Sequence, residues 1–451
     1  MRYDAAIIGA GADGLAAAIL LARANLSVIV VERGAAPGGR CVTRAFAPGY
    51  SASPFLDDVP AIPGALARTL GLAEHGAVLS DTPADGRILF RRDAILARVR
   101  REAATPVPHT VWEKLQAHME PAPGEWPVWP GMDWADKSIA EVSTGREMGA
   151  GAVQAGRAFD PELAGSALAL LTAGRTQIEG GLGALGAALA AAAKAAGAEI
   201  RLQAEASEIK LHRRRAQVLA LADGSEIETD TVLSTLDFKR TFLSLFPWNA
   251  LPAPLLAAAG AWRAQGARAR LLLALKRRTR LEAPLFQPGD GDALAAFRRG
   301  AIPRRPPLYA DPVSHRDPSL APEGGSVITV TLGAIPHTLF DGAWTGDKRA
   351  LLAAAALARL EGAAPGTVAS LAGLKILVPP DIEEQLGATD GDLDGGQLAP
   401  DQMLGFRPGP RSAIAGVYFA GSSSQAAPHG ACVSGAAAAA AILADRSGSP
   451  S

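Results

Sequence analysis

Three glycines at positions 9, 11 and 14, followed by a glutamate at position 32, are the first residues whose types and spacing imply chemistry. The apolar run from Ala5 to Ile8 is a strand candidate that ends at Gly9, and an alanine-rich helix candidate follows from Ala12 to about Ala24. In such a turn Gly9 permits the tight bend, Gly11 lets the backbone approach a pyrophosphate, and Gly14 lets the helix pack closely on the strand. The opening amides at Ala12 and Asp13 then present the positive end of a helix to phosphate oxygens. Glu32 closes a second apolar run, Leu26 to Val31, and stands ~20 residues beyond the glycines, where an acidic side chain accepts hydrogen bonds from a ribose diol. Strand, turn, helix, strand and acid together read as a dinucleotide-binding βαβ unit.

The sequence Glu32-Arg33-Gly34-Ala35-Ala36-Pro37-Gly38-Gly39-Arg40 continues this segment. Gly38 and Gly39 free the backbone to pass near a phosphate, and the guanidinium forks of Arg33 and Arg40 suit its oxygens. The run resembles the extended fingerprint of FAD oxidoreductases that include phytoene desaturases, amine oxidases and the Rab GDP-dissociation inhibitors. Two further segments carry the same resemblance. Ala415 to Ser422 reads as a buried strand entering a glycine turn, after which Gly430-Ala431-Cys432-Val433-Ser434-Gly435 opens an alanine-rich helix. The resemblance places Gly421 and Ser422 against the ribityl-pyrophosphate chain, and the amides at Cys432 and Val433 at the flavin pyrimidine edge, where a helix N-terminus stabilises a reduced, anionic flavin. In the middle, Gly180-Gly181-Leu182-Gly183-Ala184-Leu185 precedes a helix, a strand and a hairpin; the family's adenine-holding backbone position falls on Ala206.

The implied fold is α/β: a Rossmann-type FAD-binding domain, built discontinuously from residues 1–60, 176–240 and 375–451, with an α+β substrate domain from 61–175 and 241–374. The glycine segment at 180–185 and residues 198–242 are most similar to the phytoene-desaturase-like branch. That branch implies hydride transfer to flavin from a largely apolar small molecule, an isoprenoid or polyene that is desaturated or isomerised. Two alternatives stay open. One is an amine or amino-acid oxidase, whose aromatic cage is hard to assemble from four tyrosines, Tyr3, Tyr50, Tyr309 and Tyr418. The other is a binding protein that kept the fold, against which the intact glycine set argues. The chain departs from the family at Ser422, where many members carry an acid, and at Pro428-His429-Gly430, where desaturases often carry a longer glycine run. His429, just before the last helix, is the catalytic candidate, since histidine exchanges protons near neutral pH.

Composition sets the outer limits. With 48% hydrophobic and 20% charged residues, the 451-residue chain suits a globular fold, and its formal net charge of −1 gives no field for nucleic acid. Cys41 and Cys432 form neither a CxxC pair nor a zinc cluster, so no metal site and no disulfide framework is expected. Asp13, Arg23 and Asn25 interrupt the first apolar stretch, which argues against a membrane anchor and leaves the cytoplasm as the default location. Phe297 to Pro307 mixes arginine, proline and apolar residues; a solvated loop is the first expectation and peripheral contact with an acidic membrane the second. His212-Arg213-Arg214-Arg215 reads as a hairpin tip. Trp112, Trp126, Trp129 and Trp134 either bury an irregular segment or line a pocket.

Overall fold

The computed structural model describes residues 2–82, 175–247, 249–287, 289–397, 402, 407–425 and 430–448. The tryptophan cluster and His429 lie outside them. The chain opens with strand β1 (Ala5–Ile8), helix α1 (Ala12–Arg23) and strand β2 (Val28–Val31), then a hairpin of β3 (Arg44–Ala47) and β4 (Tyr50–Ala52). Helix α2 (Leu182–Ala195) leads to β5 (Glu199–Arg201), a meander of β6 (Ala206–His212), β7 (Arg215–Leu221) and β8 (Glu226–Glu228), and β9 (Val232–Ser234). Strands β10 (Ala269–Leu275), β11 (Leu285–Gln287), β12 (Leu308–Asp311) and β13 (Ser326–Leu332) precede helix α3 (Gly346–Ala363), β14 (Leu371–Leu377) and helix α4 (Pro379–Leu386). Strand β15 (Val417–Phe419) and helix α5 (Val433–Ser447) complete the order.

The first sheet is parallel, in the order β15-β9-β1-β2-β5. Both its faces are covered, so β1, β2, β9 and β15 are buried at every position and read as unbroken apolar runs. Ile7, Val28, Val30 and Leu233 point toward α1, α2 and α5, while Ile8, Ile29, Val31 and Phe419 point toward the meander and an aromatic cluster around Phe238, Phe242 and Trp262. The meander turns at Arg213 and Arg214, both exposed and both with positive φ, as expected of the hairpin tip.

The second sheet is antiparallel, in the order β11-β12-β13-β10-β14. Leu271, Leu273, Ile328 and Val330 pack under α3 through Leu352, Ala356 and Leu360. The opposite face, with Leu272, Ala274 and Val327, packs on Tyr50 and Ala52 of the β3–β4 hairpin. Strand β14 pairs with β10 along its whole length and runs through residue 375, so the sheet ends after Leu377. The hairpin inside 1–60 packs on this sheet because its apolar residues have their partners there. Phe297 and Arg298 end a short helix, Ala293–Arg298, and residues 299–307 form a loop; Arg298, Arg299, Arg304 and Arg305 are exposed while Phe297 and Pro303 are buried. Among the described residues no helix is long and apolar enough to cross a membrane.

Candidate active site

The glycine turn is built by close approaches that only glycine allows. A Cβ on Gly9, whose φ is +101°, would lie 2.4 Å from Thr235 Oγ1, and one on Gly14 would lie 2.1 Å from the Gly9 carbonyl oxygen. A Cβ on Gly11 would meet nothing within 4 Å. Gly11 therefore borders open space where its neighbours are packed to the limit, as a position reserved for a ligand would. Gly11 is also the N-cap of α1 and caps it with no side chain, so the first amides of the helix are available to phosphate.

Glu32 holds the turn. Its carboxylate accepts hydrogen bonds from the Ala10 amide at 2.9 Å and the Gly34 amide at 2.8 Å, leaving lone pairs for a ribose hydroxyl. Gly38 donates from its amide to the Ala10 carbonyl at 2.8 Å, and Gly39 is held so close to Gly11 that a Cβ would come within 3.1 Å of its Cα. Arg33 and Arg40 lie on the same loop, and each donates to a carbonyl of the connector after β14, at Glu384 and Leu393 respectively. The Ala204 amide donates to the Glu32 carbonyl at 2.9 Å, which brings the start of β6, and with it Ala206, beside the acid.

The C-terminal residues close the other side. Ser434 Oγ accepts from the Gly421 amide at 2.9 Å, and Asp13 Oδ1 accepts from the Gly435 amide at 3.2 Å. Helices α1 and α5 meet so tightly that a Cβ on Gly435 would lie 1.9 Å from the Asp13 carbonyl oxygen. Cys432 is the α5 N-cap, with φ +68° and no cap bond from its own side chain; Asp13 at the start of α1 instead caps the Gly435 amide, so the two helix N-termini meet. Ser422 is fixed through its carbonyl by Arg407 at 2.7 Å. The structure thus brings Gly9, Gly11, Gly14, Glu32, Gly38 and Gly39 together in one turn and packs the start of α5 against it, while Ser422 is held by Arg407 of the connector. Thr235 was missed: its hydroxyl donates to the Ile8 carbonyl at 2.8 Å and buttresses Gly9.

Cys41 and Cys432 share one buried core. Burial pushes the Cys41 thiol up to about 11 and Cys432 well above its ordinary value, which keeps both protonated and poorly nucleophilic.

The second sheet holds polar groups that sequence reading did not find. Cross-strand register puts Arg270, Thr331 and Tyr309 in one row, and Leu272, Thr329 and Asp311 in the next, on the face turned away from α3. Arg270 grips Asp57 through two bonds of 2.6 and 2.9 Å, with side chains only 3% and 4% exposed, and also donates to Thr331 Oγ1 at 2.6 Å. Arg316 forms a bidentate pair with Asp311, both bonds 2.7 Å. Burial raises the Asp311 carboxyl and the Tyr309 phenol above their ordinary values. Arg270 Nε and Thr329 Oγ1 are buried without a hydrogen-bond partner. The one available signal was an arginine inside an otherwise apolar strand, since a buried charge demands a partner.

A helix N-terminus beside an open glycine, an acid at the end of β2 and a parallel sheet covered on both faces define a dinucleotide-binding fold of the Rossmann type. The description of the flavin containing amine oxidoreductase family fits residues 14–365, and the chain belongs to that family. Its cofactor is FAD. It is 25% identical over 528 residues to the pyridine nucleotide-disulfide oxidoreductase domain-containing protein 2 of Rattus norvegicus, covering 93% of this chain and 90% of that one. The Mus musculus protein of that name is 26% identical over the same shares. Among solved structures, an oxidoreductase from Methanosarcina mazei matches with a TM-score of 0.59 at 15% identity, over 98% of this chain and 100% of that one. A putrescine oxidase bound to putrescine gives 0.59 at 15% identity over 98% and 99%. Cyclohexylamine oxidase from Brevibacterium oxydans gives 0.57 at 16% over 99% and 100%. These structures share the fold.

Proposed function

We propose that the protein oxidises a carbon adjacent to an amine nitrogen. FAD supplies the hydride acceptor when bound. In this reading Gly9, Gly11, Gly14 and the amides of Ala12 and Asp13 hold the pyrophosphate together with Gly38, Gly39 and the remaining donors of Arg33 and Arg40. Glu32 takes the ribose and Ala206 the adenine. Gly421, Ser422, Cys432 and Val433 hold the flavin end, and the α5 N-terminus stabilises negative charge developing there.

The observation that carries the substrate class is the buried polar cluster of Arg270, Tyr309 and Asp311, from two adjacent rows, with Asp57 and Arg316, on the face of the second sheet turned away from α3. A wholly apolar substrate gives no physical reason to bury this much charge, or to leave the Arg270 Nε and Thr329 hydroxyl unpartnered beside it. Membership of an amine oxidoreductase family and the folds of putrescine and cyclohexylamine oxidases support the same choice. Desaturation or isomerisation of an isoprenoid or polyene is the second reading, favoured by the apolar remainder of that face at Leu272, Ala274, Val313 and Val327.

Anaerobic addition of primary amines and of polyenes, in parallel, to the purified flavoprotein tests this. Bleaching of the oxidised-flavin absorbance by amines is the expected result; bleaching by polyenes alone transfers the assignment to the second reading.

A further inference from the structure

We propose that His337, Glu383 and Asp390 form a divalent-cation site that ties the loop after β13 to the connector running from β14 back toward the nucleotide-binding half. One donor atom from each residue lies within 4.8 Å of the other two. One imidazole nitrogen and two carboxylate oxygens are a donor set that zinc and similar divalent ions take, with a remaining position for water.

Each donor is held by a different part of the chain. Trp344 Nε1 donates to the Pro336 and His337 carbonyls at 3.2 and 3.1 Å and fixes the loop that carries His337. Glu383 sits in the last turn of α4, and its Oε1 accepts from the Asp390 amide at 3.2 Å. Asp390 takes up φ +55°, a left-handed conformation uncommon outside glycine. The adjacent Thr389 is tied by its amide and hydroxyl to Asp237, at 2.8 and 2.9 Å.

The histidine is poised to accept a metal. Its Nδ1 lies 3.2 Å from Thr338 Oγ1, and a proton donated there leaves the lone pair on Nε2. Nε2 is buried and lies 2.7 Å from Glu383 Oε2, yet makes no hydrogen bond. Tetrahedral zinc, with bonds of about 2.0–2.1 Å, needs donor atoms about 3.3 Å apart, so this pair opens by about 0.6 Å as Asp390 closes in. The groups facing Asp390 are His337, Glu383, Lys239 and Asp237. A divalent cation placed between His337 Nε2 and the Glu383 and Asp390 carboxylates would engage all three donors at once.

The test uses full-length, FAD-loaded protein, dialysed against chelator and titrated calorimetrically with zinc chloride. Expected are one zinc per chain, a rise in the unfolding temperature on zinc addition, at least 100-fold weaker binding for His337→Ala and at least tenfold weaker binding for Asp390→Asn. Glu323→Gln, at an exposed site elsewhere, should bind as the wild type does. Flavin absorbance measured on every variant separates loss of the metal site from loss of the fold. A titration with no stoichiometric event in the wild type, or His337→Ala and Asp390→Asn variants that retain flavin and bind zinc unchanged, overturns the proposal.

Discussion

The nucleotide-binding half and the strand-rich half solve the placement of polar groups in opposite ways. Around Gly9, Gly11 and Gly14 recognition is made of backbone: amides, helix ends and the absence of side chains. On the inward face of the second sheet it is made of long side chains, and Arg270 meets Asp57 across 213 residues of sequence. Backbone recognition is set by local geometry and fails when an atom is added. Side-chain recognition is set by pairing and fails when an atom is removed.

That contrast is broken most forcefully at Arg270. Arg270→Ala leaves Asp57 buried without its countercharge and is expected to cost about 3–5 kcal/mol, measured by denaturant unfolding. The double variant Arg270→Met with Asp57→Leu should recover most of it. A single variant that loses less than ~1 kcal/mol would deny the pair its role in joining the halves. Next, Gly14→Ala forces α1 off the Gly9 carbonyl, with an expected loss of about 1–3 kcal/mol together with the flavin. Gly11→Ala, with its methyl in open space, should change stability by only a few tenths of a kcal/mol while flavin retention, read at its visible absorbance, drops. Equal losses of stability in the two variants, or a Gly11→Ala variant that keeps its flavin, would erase the distinction between a packing glycine and a ligand glycine.

A pH titration sharpens the comparison further. Asp392, in the connector between the halves, is pushed up to about 7 by burial first and Asp394 second. Because its folded-state value is raised, its contribution is fully present below the unfolded carboxylate range near 3.8 and is lost as pH rises through about 7. Unfolding free energy should therefore fall across that window, by no more than ~1.4 kcal/mol per pH unit from this one group. A flat or rising profile there in the wild type would show that Arg268 and Arg407 keep the carboxylate ionised. An effect of opposite sign is expected at the meander tip, where Arg214→Gly should add about 0.5–1 kcal/mol by relieving a positive φ, checked by thermal unfolding.

The same contrast explains what the sequence disclosed. Gly9, Gly11, Gly14, Glu32, Gly38 and Gly39 were legible because backbone geometry is encoded within about 30 residues, and so were the helix α1 and the hairpin tip at Arg213 and Arg214. Thr235 was not, since a threonine buttressing a glycine from a distant strand leaves no local pattern. Asp57, Asp311 and Arg316 were invisible for the same reason, and the hairpin β3–β4 could not be assigned to the second sheet before its packing partners were known. The polar face in turn shifted the substrate reading away from polyenes, because composition alone cannot say on which side of a strand an arginine stands.

The contact between Asp13 and Gly435 spans 422 residues. At a synthesis rate of roughly 5–20 residues per second, the first helix leaves the ribosome roughly 20–85 seconds before the helix that completes its pocket. The turn made first must wait for α5 to be synthesised before the first turns of α1 and α5 meet. A product truncated before α5 would present the glycine turn without the helix that packs against it, and in the proposed reading would retain flavin poorly.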